Sequence, residues 1–172
     1  KHLEQMEPEF FHVDAEAIPG WETHGAQFKL IAGEAFGRRS PVPVYSPLYF
    51  IEIRNIEKQT IKIGDDLFGE SALYILEGAI ESEGNVYEPK QILIAKDAKL
   101  CEFTMQPNTT VYIFGGEAFA EERFIYWNFV ASSHELIEAA KQRWTNQSFP
   151  EVPGETEFVP LPEPKSGFRP KQ

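Results

Sequence analysis

Seven short apolar runs divided by turn residues constrain this chain most: Phe28–Ile31, Leu48–Ile53, Thr60–Ile63, Leu73–Leu76, Gln91–Ile94, Leu100–Phe103 and Thr110–Phe114. Short runs at this spacing are the pattern of a β-sandwich or barrel. Thirteen prolines and twelve glycines are spread among fourteen phenylalanines, which again favours extended segments and turns over a helical bundle. Two turns stand out. Glu83–Asn85 is expected to join Ala79–Ser82 to Val86–Glu88 as a tight hairpin, with Gly84 and Asn85 supplying positive φ. Gly33–Gly37 reads as a second turn between extended segments.

With 172 residues and 42% apolar content, the chain is the size of one domain with a real core. Its formal net charge of −11 argues against direct contact with nucleic acid or an anionic membrane. Cys101 is the only cysteine and has no internal disulfide partner. No apolar run reaches the ~18 residues of a membrane span, and no signal-peptide pattern is present. These features give the expectation of an intracellular, cytoplasmic protein. The start at Lys1 suits a processed product or a piece of something longer.

One segment carries a helical pattern. Leu136, Ile137, Ala140 and Trp144 fall on one face, opposite Glu138, Lys141 and Gln142, and Ser132 and Glu135 have the offset of a capping box. The chain therefore divides into a lead-in (1–20), a β-barrel (21–131), a helix (132–145) that docks its apolar stripe on the barrel, and a proline-rich extended tail (146–172).

The stretch from Ile61 to Gly78 resembles the first metal motif of the cupins, which places two histidines one residue apart, then a glutamate, then a hairpin glycine. Here Glu70 and Gly78 are present, but Gly64 and Asp66 stand where the histidines would. The strand position of a fourth ligand, around Leu100 or Cys101, has no histidine either. Asp66 and Glu70 alone are too few for a non-haem iron site, which uses two histidines and a carboxylate. Trp21–Glu34, Leu73–Gly78, and Phe114–Glu117 followed by Trp127–Val130 and the helix together resemble the C-terminal half of a pirin, a two-cupin protein. The resemblance implies an all-β cupin-type barrel (jelly-roll) with one C-terminal α-helix. It also implies a partner, the N-terminal cupin domain of the same protein, which carries iron or another divalent metal; this chain would hold no cofactor of its own. Family activities it brings are a quercetin 2,3-dioxygenase-like cleavage and, in eukaryotic members, a nuclear co-regulator role with regulatory protein partners.

Other candidate sites are weaker. His2, His12, His24 and His134 are scattered, without ligand spacing. Asp65, Asp66 and Glu70 form an acidic cluster suited to a divalent cation or a general base, although an acidic loop is the simpler reading in a chain this acidic. Glu70, Tyr74, Cys101 and Tyr112 are the candidate lining of a barrel pocket, with Tyr49, Phe50, Phe103 and Phe114 as further aromatics able to line a flavonol-sized space or to form core. Cys101 is expected to point inward as a small hydrophobe. Gly115–Gly116–Glu117 lacks the Lys and helix of a phosphate loop and reads as a strand end that turns the backbone toward the helix.

Overall fold

The computed structural model describes residues 3–7, 9–63, 66–95 and 102–162. The strands are β1 (Gly20–Thr23), β2 (Ala26–Ala35), β3 (Arg38–Arg39), β4 (Leu48–Asn55), β5 (Gln59–Lys62), β6 (Glu70–Glu77), β7 (Ile80–Ser82), β8 (Asn85–Tyr87), β9 (Ile92–Ala95), β10 (Glu102–Met105), β11 (Thr110–Gly116), β12 (Phe124–Tyr126) and β13 (Phe129–Ala131); α1 spans His134–Thr145. A single 3-10 turn, Ala15–Ala17, interrupts the lead-in. The expected all-β architecture with one C-terminal helix is what forms. Of the expected run Leu100–Phe103, the first two residues lie outside the described ones, and β10 opens at Glu102.

The chain divides into two compact units. One runs from Glu9 to Ala118, and the other joins the residues before Glu9 to those from Phe119 onward. Residues 119–131, assigned to the barrel by sequence, therefore group with the helix. In the larger unit one sheet has the order β1-β2-β4-β11-β6-β9, with β3 on β2, and a second has the order β5-β10-β7-β8. Every described pairing is antiparallel.

Side-chain alternation builds the core. Along β4 the buried positions are Tyr49, Ile51, Ile53 and Asn55, and along β6 they are Ser71, Leu73 and Ile75. The second sheet contributes Ile61, Ile80, Phe103 and Met105 to the same hydrophobic cluster. Each such side chain, fully buried, contributes ~1.5–3 kcal/mol relative to exposure.

Two turns differ in detail from expectation. In the β7–β8 hairpin, Ser82 pairs with Asn85, so the two central residues are Glu83 and Gly84, with φ of 51° and 77°. A two-residue loop of this kind requires positive φ at both central positions, which moves the demand from Asn85 to Glu83. Gly33 stays inside β2, and the turn into β3 is made by Phe36 and Gly37.

In the smaller unit α1 packs on the β12–β13 hairpin. That hairpin is the surface on which its apolar stripe rests, and Ile137 is the buried residue of the stripe. The cap sits one residue later than the sequence pattern placed it. Ser133 is the N-cap and accepts from the Leu136 amide, whereas Ser132 donates its hydroxyl to Glu4 Oε2 at 2.7 Å and its backbone N–H to Glu4 Oε1. A carboxylate from the lead-in offers Ser132 a charge-assisted partner, and the next serine takes over the helix end. At the other end Trp144 stacks on Phe158 and donates its indole N–H to the Val159 carbonyl at 2.8 Å, which ties the proline-rich tail to the helix.

Candidate functional site

Around the position where the motif would place a metal, the inward-facing residues are apolar. Ile61 and Ile63 lead into the loop, Leu67 follows it, and Leu73, Ile75, Val111 and Ile113 line the facing strands; all are buried. Asp66 and Glu70 are exposed. Glu70 begins β6 opposite Gly116 and shares its outward parity with Ala72 and Tyr74. Gly64 and Asp65 lie outside the described residues. Among the described residues no three His, Cys, Asp or Glu side chains come together as a metal-binding group. Among the described residues the donors do not make up a cupin metal site.

The polar groups that are buried serve the barrel itself. Tyr49 and Ser71 face each other in the core and share a hydrogen bond between their hydroxyls. Burial pushes the Tyr49 phenol above its ordinary range, and the Ser71 hydrogen bond opposes this only in part. At the other end of the barrel, Asn55 donates to the Glu57 carbonyl at 2.6 Å and to the Gln106 carbonyl at 3.0 Å, and accepts from the Thr109 amide at 2.9 Å. Thr109 donates its hydroxyl to the Gln106 carbonyl at 2.7 Å and accepts the Ala79 amide at 3.1 Å. Gly78, the glycine of the degenerate motif, has φ of 74°, and a side chain there would collide with Thr109. Its presence is explained by this packing, without a metal.

The sequence matches the family described as the Pirin C-terminal cupin domain over residues 51–150. The chain belongs to the pirin family. A Pirin-like protein of Caulobacter vibrioides is 37% identical over 164 residues, covering 94% of this chain and 56% of the relative. A Pseudomonas aeruginosa protein provisionally named a quercetin 2,3-dioxygenase is 30% identical over 128 residues, which is 74% of this chain and 41% of that protein. The crystal structure of a quercetin 2,3-dioxygenase from Acinetobacter baumannii aligns with a TM-score of 0.83 at 25% identity, over 98% of this chain and 57% of that one. This pirin domain thus spans about half the length of the relatives it matches, and its barrel is the cupin fold.

The proposed pocket lining of the pirin domain is not gathered in one cavity. Tyr74 and Tyr112 are cross-strand partners on the outward face of β6 and β11, because the inward parity belongs to Leu73, Ile75, Val111 and Ile113. Glu70 is at the exposed strand start, and Cys101 lies outside the described residues. Of the further aromatics, Tyr49 and Phe103 are core, while Phe50 and Phe114 stand outward in contact with each other. Tyr112 donates its hydroxyl to Glu52 Oε2 at 3.0 Å, and Arg54 pairs with the same oxygen at 2.9 Å. Partial burial first and the Glu52 carboxylate second hold the Tyr112 phenol above its usual range.

Of the histidines, His12, His24 and His134 are exposed. His134 lies over Phe124 with ring centroids 4.0 Å apart, and His24 takes positive φ in the β1–β2 turn. Gly115 and Gly116 lie within β11 and do not turn the chain toward the helix; they make room for Tyr49 and for the Pro47–Leu48 backbone. Sequence reasoning missed the Asn55–Thr109 network. Its signal was available, since a polar residue at an inward position of a strand must be satisfied by neighbours.

Proposed function

We propose that this chain is the metal-free second cupin of a pirin, packing against and completing a metal-bearing first cupin domain, with an interaction and regulatory role. The observation that carries this is the interior itself: apolar side chains occupy the inward positions around the motif, and its two remaining carboxylates, Asp66 and Glu70, are exposed. A cation there would meet hydrocarbon on one side and two carboxylates in water on the other, whereas transition metals in such folds need convergent nitrogen and oxygen donors. The barrel is thus preserved as a packing body. No helix among the described residues is long and apolar enough to cross a membrane.

The names of the Pseudomonas and Acinetobacter relatives favour a second reading at the level of the whole protein, that of a quercetin 2,3-dioxygenase-like enzyme whose metal is held by the first domain. On this reading too the 172 residues supply no metal ligand. Metal analysis and quercetin turnover, run on the chain alone and on the protein from its natural source, test both. The expected result is no stoichiometric metal and no turnover for the chain alone, with a natural mass near twice 19.6 kDa and about one transition metal per molecule. Metal-dependent turnover by the chain alone would overturn the proposal. Turnover in the natural preparation decides whether the assembled protein is the dioxygenase.

A further inference from the structure

Residues 158–162 read Phe-Val-Pro-Leu-Pro and form neither helix nor strand. Pro160 and Pro162 fix their own φ at about −65°, and Val159 and Leu161, each before a proline, are held to extended backbone. The segment is therefore set for polyproline II, which has three residues per turn and leaves its main-chain carbonyls without internal partners. Its contacts follow that repeat. Val159 and Pro162, one turn apart, turn their carbonyls to the same side; the Trp144 indole N–H donates to the first at 2.8 Å and the Tyr126 hydroxyl to the second at 3.5 Å. Phe158 and Leu161, also one turn apart, make the neighbouring row: Phe158 stacks on Trp144 with ring centroids 5.7 Å apart, and Leu161 is half-buried. The receiving rings are held by contacts of their own, Trp127 meeting Trp144 edge-on at 5.1 Å and Lys141 lying over the Tyr126 ring. Both hydrogen bonds go to main chain, and no side chain of 158–162 belongs to the buried core.

We propose that Tyr126, Trp127 and Trp144 form a recognition groove for a proline-rich segment of another protein, and that the chain's own tail is a removable cover on it. Proline-rich segments dock in aromatic-lined grooves because their preformed backbone loses little freedom on binding. The chemistry asked of the partner is that of the tail: an aromatic residue with prolines two and four places after it. This gives the interaction role proposed above a place and a partner class; it rests on that reading for the role alone, since no residue of the groove belongs to the barrel unit. The tail itself chooses between occupants. Tethered through residues 146–157, it meets the groove at an effective concentration on the order of millimolar. An identical tail from a second copy gains nothing over it, and two chains of net charge −11 repel each other. A different sequence has room to bind better, because the Tyr126–Pro162 hydrogen bond is long and Phe158 is 44% exposed.

NMR titration of the full chain, read at the Trp144 indole N–H, tests this with a synthetic peptide copying Glu155–Pro162. The parent chain is compared with the double variant Phe158→Ala, Pro160→Ala, which loosens the tail and leaves the core untouched. In the variant the Trp144 indole N–H is expected to exchange with solvent several-fold faster, and the peptide to bind several-fold more tightly than it does to the parent. Adding Trp144→Phe, which keeps a ring and removes the donor, should weaken that binding several-fold, as should replacing both prolines of the peptide by alanine. An unmoved Trp144 signal at millimolar peptide in the loosened variant, or equal binding of the alanine peptide, would overturn the groove. Indole exchange that stays slow in the double variant, or unfolding of that variant, would show the tail to be a fixed part of the fold and overturn it as well. A concentration-dependent dimer of the parent chain, lost with the double substitution, would make a second copy the occupant and overturn the choice of partner. None of these failures touches the metal-free reading, which metal content and turnover decide.

Discussion

The hydroxyl of Tyr49 is hydrogen-bonded to that of Ser71 in the core, and it stands against the Cα of Gly115, so that a methyl group there would collide with both the Tyr49 hydroxyl and the Glu70 carbonyl oxygen. Gly115→Ala is therefore expected to lower stability by ~1–3 kcal/mol or more, as overpacking of a filled core does. Gly20→Ala, where a Cβ would meet only an ordinary contact with the Phe28 carbonyl, should stay within ~0.5 kcal/mol. Chemical denaturation of the two variants beside the parent chain checks this, and equal midpoints would remove the steric role of Gly115.

The same burial makes a prediction about alkaline pH. The Tyr49 phenol is held above its ordinary value by burial, so its neutral form is the one the fold favours. That contribution is complete below the unfolded pKa of about 10 and is lost as pH rises through the higher folded value. In a spectrophotometric titration, Tyr49 should ionise above the ordinary tyrosine range and together with loss of the fold. Tyr49→Phe should remove that late step. It should also cost ~1–3 kcal/mol near neutrality by leaving the buried Ser71 hydroxyl without its partner.

Adjacent serines should respond to different variables. Ser133→Ala removes the α1 N-cap and is expected to cost ~1 kcal/mol near neutral pH. Ser132→Ala acts through Glu4, whose carboxyl is held below the usual range chiefly by the Ser132 hydroxyl and then by its amide. A depressed carboxylate contributes above its unfolded pKa of about 4.3 and loses that contribution as pH falls through the lower folded value. Protection of the Ser132 amide, its exchange taken relative to the intrinsic rate at each pH, should therefore fall in acid in the parent chain. In Glu4→Gln the exchange should be fast already at neutral pH, with that acid-dependent step gone.

The remnants of the metal motif should be silent. Asp66→Ala with Glu70→Ala is expected to change stability by no more than ~0.5 kcal/mol for each site, as for exposed positions without buried partners. Adding ferrous or nickel ions should shift the melting temperature of parent and double variant alike. A metal-induced rise confined to the parent would restore these carboxylates as ligands.

How far the chain could be read in advance differs from place to place. The apolar runs announced β2, β4, β6, β9 and β11 because burial on one side of a strand imposes period two on the sequence, and that period survives without any knowledge of partners. The helix was legible for the same reason at a different period. What the runs do not encode is the sign of each face. Tyr74 and Tyr112 look as suited to a pocket as to an outer surface, and only the cross-strand register with Leu73 and Ile113 inside makes them outward. The local pattern with Glu135 points to Ser132 as the cap, while its actual partner, Glu4, is remote in sequence. The Gly115–Gly116 pair similarly suggests a strand end where the backbone turns, since the neighbour that needs the space, Tyr49, lies on another strand. The lack of histidines in the motif, by contrast, is plain from residue identity alone.

The central place of β11 governs how this sheet can be made on the ribosome. β4 and β6 are not hydrogen-bonded neighbours; each pairs with a different edge of β11, which comes after both in the chain. Until Thr110–Gly116 has left the exit tunnel, the nascent chain carries two unpaired strand edges, rich in isoleucine and aromatic residues, that any similar polypeptide can join. Insertion of this single late strand closes both edges at once. A stop codon or a protease cut ahead of Thr110 therefore leaves a sticky, aggregation-prone product, and the interval before β11 emerges is when the nascent chain most needs a chaperone.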